Sequence, residues 1–168
     1  DYTHKDMVLS PGVAGKLSKE DVSAIQSGNP QLKGRYFTEK VPYGYNYADQ
    51  NSSVIDTAVE DPAYNHGMHV AGIIGANCQS QAEINAYNGV RGAAPECQLL
   101  AMKIFSNTAN VSASEADIIA AIEDSVALGA DVINLSIGLS AGFHNSENGQ
   151  QKAIQAAREA GVTVVAAA

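Results

Sequence analysis

Two cysteines, Cys78 and Cys97, are all that the 168-residue chain contains. They are too few for a disulfide framework, and their spacing fits no zinc pattern. Cys97 lies beside the apolar run Leu99 to Phe105 and reads as a small buried or half-buried residue. Whether the two pair, and which redox compartment the chain occupies, stays open on this basis. Basic residues are also scarce, 10 Lys and Arg against 18 Asp and Glu, which leaves a formal net charge of -8. Such a balance repels nucleic acid and anionic membrane surfaces on average, so neither is expected as a partner. No apolar run reaches the length of a bilayer span, so no membrane segment is expected. There is no internal repeat, no low-complexity tract, and no GxGxxG or P-loop after a strand, which argues against a nucleotide-binding α/β domain. Charged residues make up only 17% of the chain and hydrophobic ones 45%, a composition that belongs to a globular domain with a core rather than to a disordered segment. The length suits one domain.

The second half alternates short apolar runs with helical patterns, as parallel sheets with crossover helices do. Gln98 to Phe105, Asp131 to Ser136 and Val162 to Ala168 read as strands. Between them, Ile118, Ile119, Ile122 and Val126 recur at helical spacing behind a Ser114/Asp117 capping box and end at Gly129. Gln150 to Ala160 is the next helix, with Ile154 inward and Gly161 as its stop. Right-handed crossovers would make the three strands neighbours in one sheet. The fold class expected is α/β. The first sixty residues are broken by Pro11-Gly12, Gly28-Asn29-Pro30 and Pro42-Tyr43-Gly44, and the aromatics from Gly34 to Ala48 keep no steady period. A short helix over 18–25, capped by Ser18 with Asp21, is the one regular element expected there. The chain opens on Asp1 without an initiator methionine and closes inside the apolar run Val162 to Ala168, which leads to the expectation of a fragment.

Asn65-His66-Gly67-Met68-His69-Val70-Ala71-Gly72 carries the most chemical information. It sets an imidazole at the start of a helix of small residues, where the ring can be held and still meet a substrate. Gly67, Ala71 and Gly72 would let that helix approach a sheet, with Val70, Ile73 and Ile74 as anchors. His69 lies three residues on. A zinc-protease helix places its histidines four apart around a glutamate, so a metal reading fails and His69 is expected to be structural, its ring bonded within the fold. His4 and His144 have no supporting context. Downstream lies Val132-Ile133-Asn134-Leu135-Ser136-Ile137-Gly138, where Asn134 is expected to be buried and hydrogen-bonded.

Together these two segments resemble the subtilisin-like serine proteases, the subtilases, in their HGTHVAG and VINMSLG motifs. Asp1-Tyr2-Thr3-His4-Lys5-Asp6-Met7, Gly89-Val90-Arg91-Gly92-Ala93-Ala94-Pro95 and Val162 to Ala168 extend the resemblance over nearly the whole chain. Lys40 to Asp49, and methionine at 68 where threonine is usual, resemble the lactocepin and C5a-peptidase group of Gram-positive cell-envelope proteinases. The resemblance implies a three-layer fold with a mostly parallel sheet and helices on both faces. It implies that residues 1–168 are the N-terminal half of a catalytic domain, with an insertion-like region at about 10–62. It implies a serine endopeptidase, extracellular or cell-wall attached, acting on extended peptide or protein substrates. In that scheme His66 is the catalytic base, and Ser136, Ile137 and Gly138 form a substrate strip that pairs with an extended peptide.

The other triad members are not found in matching positions. Asp56, in Val54-Ile55-Asp56-Thr57, has alanine rather than glycine after its threonine, and too few residues separate it from His66. It reads as a polar loop residue beside Glu60 and Asp61. The register of Asp1 to Met7 puts the catalytic aspartate just before Asp1, and the oxyanion asparagine and nucleophilic serine are expected beyond Ala168. Ser136 lacks the strained turn into a helix that exposes such a nucleophile. Ser106 to Val111 would form the opposite rim of the cleft. Subtilases commonly bind calcium in outer loops, but the acidic set Asp49, Asp56, Glu60 and Asp61 follows no recognisable loop pattern, so no metal or other cofactor is assigned. The competing reading within the resemblance is a subtilase-like pseudoenzyme that keeps the cleft and binds peptide without catalysis.

Overall fold

The Ser18 hydroxyl accepts from the Asp21 N–H at 3.1 Å, and the Asp21 carboxylate accepts from the Ser18 N–H at 2.9 Å. This reciprocal box starts α1, Lys19–Gly28. In the computed structural model, which describes residues 1–59, 64–108, 113–138 and 148–167, eight further elements follow. They are β1 (Tyr43–Asn46), α2 (His66–Gly75), α3 (Gln81–Asn85), β2 (Leu100–Lys103), α4 (Glu115–Ala127), β3 (Val132–Leu135), α5 (Gly149–Glu159) and β4 (Thr163–Ala166). Ser114 caps α4 by accepting from the Asp117 N–H, and Asn148 caps α5 by accepting from the Gln151 N–H. Gly129 and Gly161 follow the two helices with φ of +74° and +87°, the left-handed conformation that glycine adopts without steric cost. The α/β class read from the sequence is the one observed.

Strand pairing differs from the expected single three-stranded neighbourhood. β3 pairs with β4 in parallel, Val132 opposite Thr163 through Leu135 opposite Ala166. β2 pairs in parallel with β1, Tyr43 opposite Leu100 through Asn46 opposite Lys103. Within the described residues no ladder joins β2 to β3. β1 comes from the aromatic stretch read as irregular. Tyr43, Gly44 and Asn46 are all buried, so apolar and polar residues do not alternate and the period-2 signal is lost.

Two apolar clusters result. Ile122 of α4, Ile133 of β3, Ala153 and Ala157 of α5, and Val162 form the first, with Leu135, Ile154 and Val164 against it. Small residues bring the helices together: a Cβ on Gly149 would lie 2.8 Å from Ile119 Cδ1. Val22, Leu32, Tyr43 and Leu128 form the second. Tyr43 is fully buried, and its hydroxyl accepts from the Gly34 N–H at 2.8 Å. Burial is the main reason its phenol is pushed up to about 12. The opposite face of the β3–β4 pair is open among the described residues, with Val132 58% and Val165 49% exposed. No helix among the described residues is long and apolar enough to cross a membrane.

Candidate active site

His66 is the first residue of α2. Its neighbour Asn65 has φ +62°, and the Asn65 carbonyl accepts from the His69 N–H at 3.0 Å, the first bond of the helix. The Asn65 side chain makes no cap. Its N–H donates instead to Asp56 Oδ2 at 3.0 Å, so the carboxylate that serves the helix entrance comes from another segment. Asp56 Oδ1 accepts from the Ala58 N–H at 3.1 Å, and Lys103 Nζ lies 3.8 Å from it.

The far end of α2 is also tied from outside. Ala93, Ala94 and Gly92 donate their N–H groups to the carbonyls of Ile73, Ile74 and Ala76 at 2.9, 2.8 and 2.8 Å. The approach is tight: a Cβ on Gly92 would stand 2.7 Å from backbone atoms of Gly72, Ile74 and Gly75. Lys40, buried, donates from Nζ to the carbonyls of Pro95 and Cys97 at 2.6 and 2.5 Å and so fixes the turn that follows. Burial holds the Lys40 ammonium below the ordinary lysine range, with the nearby Cys97 and Glu96 working against it. Thus the small residues that let α2 pack closely are Gly75 and Gly92. Gly67 and Gly72 meet nothing within 4 Å among the described residues, and Ile73 is 70% exposed rather than an anchor.

The two sequence segments expected to share a cleft meet here. His66 Nε2 lies 2.9 Å from the Ser136 carbonyl oxygen, at the end of β3. A carbonyl only accepts, so Nε2 carries the hydrogen in this contact. The ring is otherwise exposed. Asn134 Nδ2 donates to Ser136 Oγ at 2.9 Å. Asn134 is exposed, not buried as expected, because the strand alternates and Ile133 takes the inward position. Ile137 is half-buried and Gly138 exposed. His69, whose ring the sequence leads us to expect bonded within the fold, is exposed and makes no side-chain hydrogen bond among the described residues. His4 Nδ1 accepts from the Asp6 N–H at 3.2 Å, a local role; His144 lies outside the described residues.

Of the acidic set, Glu60 and Asp61 lie outside the described residues. Asp49 is hydrogen-bonded by Ser106 Oγ, by the Asn107 N–H at 2.7 Å and by Asn46 Nδ2 at 2.8 Å. Burial raises its carboxyl, but these donors outweigh burial and hold it below the usual carboxylate range. Of the expected opposite rim, Ser106 to Thr108 are described, with Ser106 and Asn107 pinned to the 46–57 segment; 109–111 lie outside the described residues. A cluster absent from the sequence reading, Asp6, Cys78 and Glu83, brings ligand-type atoms within 4.8 Å of one another. The Lys5 ammonium bonds Glu83 and the Asn88 carbonyl and lies 3.9 Å from Asp6, so a cationic side chain already serves this group. Cys78 and Cys97 are both free thiols.

Residues 23–168 match the family model described as the subtilase family. The chain belongs to the subtilase family. It is 46% identical over its whole length to a PII-type proteinase of Lacticaseibacillus paracasei, of which it covers 8%. Over 90% of its length it is 33% identical to a C5a peptidase of Streptococcus pyogenes, of which it covers 12%. The solved structure of the patellamide maturation protease PatA matches 66% of this chain and 38% of that one, with 31% identity and a TM-score of 0.50. The chain therefore spans only a small part of the curated relatives it matches. Those relatives fall in the subgroup that Lys40 to Asp49 and Met68 resemble.

Proposed function

We propose that this subtilase chain contributes the general base and part of the substrate-binding edge to a serine endopeptidase that cleaves extracellular proteins. The supporting observation is the approach of His66 Nε2 to within 2.9 Å of the Ser136 carbonyl, because it sets a solvent-accessible imidazole beside a backbone strip that an extended peptide can pair with. In this reading residues 1–168 are the N-terminal half of the catalytic domain, and the carboxylate and nucleophilic serine are supplied from outside them. A carboxylate accepting from Nδ1–H shifts the imidazole hydrogen away from Nε2 and frees that nitrogen from Ser136. His66 Nε2 then takes the serine hydroxyl proton as the oxygen attacks the scissile carbonyl. It returns that proton to the leaving amine when the acyl-enzyme forms, and repeats the cycle with water. Ser136, Ile137 and Gly138 hold the peptide in register. The protein is extracellular or wall-attached in this reading.

The test uses the full-length gene product and a fluorogenic peptide or casein. His66→Ala should lower kcat by at least about 10⁴-fold while KM changes little, the pattern left by removal of a triad base. Retention of most of kcat would overturn the assignment of His66. Peptide binding by the unsubstituted protein without any turnover would favour the pseudoenzyme reading instead.

A further inference from the structure

We infer that Asp56 is a positioning residue for His66, an inference that rests on the peptidase reading above. It is not a member of the triad: its carboxylate is spent on backbone donors and on Lys103. What it holds is the residue immediately before the base. Asn65 turns through a left-handed conformation into α2 and has no side-chain cap of its own, so the direction in which His66 leaves the helix entrance depends on what fixes the Asn65 N–H. That acceptor is Asp56 Oδ2, at 3.0 Å.

The backbone on both sides of Asp56 is itself held by one amide. Asn107 Oδ1 accepts from the Thr57 N–H at 3.2 Å, and Asn107 Nδ2 donates to the Ile55 carbonyl at 3.1 Å. The Asn107 backbone N–H is fixed in turn by Asp49 Oδ2 at 2.7 Å. Lys103, at the end of β2 and largely buried, supplies positive charge 3.8 Å from Asp56 Oδ1. A continuous chain of contacts thus runs from the segment after β2, through the backbone around Asp56, to the residue that carries His66 into its helix. Asn107 holds the backbone on either side of Asp56, and the Asp56 carboxylate holds the residue before the base. Loss of that carboxylate leaves the Asn65 N–H without its acceptor and frees the helix entrance to pivot. A displacement of about 1 Å in a catalytic group costs on the order of 100-fold in rate.

The experiment compares Asp56→Ala and Asp56→Asn in the full-length protein, with kcat expressed per active site titrated by exhaustive reaction with a serine-directed phosphonate, and His66→Ala, with activity expressed per mole of folded protein. Titration separates misplaced sites from unfolded ones. Asp56→Ala should lower kcat per titrated site by about 10- to 100-fold with KM within about threefold. Asp56→Asn keeps one oxygen to accept from Asn65 and should recover at least about threefold of that loss. If Asp56→Ala yields no folded protein, the Asp56→Asn variant decides, with an expected loss of about 3- to 10-fold. A kcat per site within twofold of the unsubstituted enzyme, or an asparagine variant no better than alanine, would overturn the positioning role. Failure of the underlying reading looks different: His66→Ala would then retain activity.

Discussion

Lys40 shows at the scale of one residue how a chemically conspicuous side chain serves the site without touching it. A buried ammonium is costly unless its donors are met, and here two carbonyls of the 95–97 turn accept from it. Lys40→Met keeps the length of the stem and removes both charge-assisted bonds, so it should lower stability by about 2–3 kcal/mol, read as a shift in urea midpoint. An unchanged midpoint would mean that the turn holds itself. His66 and Asp56 teach the complementary point. The histidine is recognisable from its neighbours in sequence, because a helix start and its small residues are local. The role of Asp56 is not, since its partner Asn65 and its clamp Asn107 reach it only through space.

At the scale of an element, α2 is a helix of low intrinsic amphipathic character fastened at both ends by other segments. The fastening at its C-terminal end depends on the absence of a side chain at position 92. Gly92→Ala would push a methyl to within 2.7 Å of backbone atoms that cannot rotate away. It should therefore cost about 1–3 kcal/mol, measured by thermal or chemical unfolding. A neutral result would show that the 92–94 turn can lift off the helix. Elements with local signals were legible: the Ser18/Asp21 and Ser114/Asp117 caps place α1 and α4, and Gly129 and Gly161 mark where the helices stop. β1 was not legible, since burial erases its alternation and its partner β2 is far along the chain.

For the whole molecule, two half-buried carboxylates pull stability in opposite directions with pH. Burial pushes Asp124 above the ordinary carboxylate range despite the hydroxyl donated by Tyr47 at 2.8 Å. Its folded form holds a proton more tightly than the unfolded chain, so its stabilising contribution is complete below the unfolded value and is lost as pH rises through the raised one. Asp49, with its folded value depressed, contributes above the unfolded value and loses that contribution as pH falls through the folded one. Asp124→Asn should therefore gain relative to the unsubstituted chain on going from about pH 3 to pH 7, and Asp49→Asn should lose, with urea midpoints at the two pH values as the readout. Equal shifts at both would remove the linkage.

The sequence by itself determined the α/β class, the capped helices, the family and the residue offered as base, because each is written in short-range periodicity, in caps or in contiguous motif text. Only the tertiary structure decided that β2 pairs with β1, that Asn134 faces outward, that Gly75 and Gly92 make the close contacts of α2, and that Asp56 serves the entrance to His66. Those outcomes depend on which distant segments compete for the same backbone donors and the same buried volume, and a linear pattern carries no distance between them.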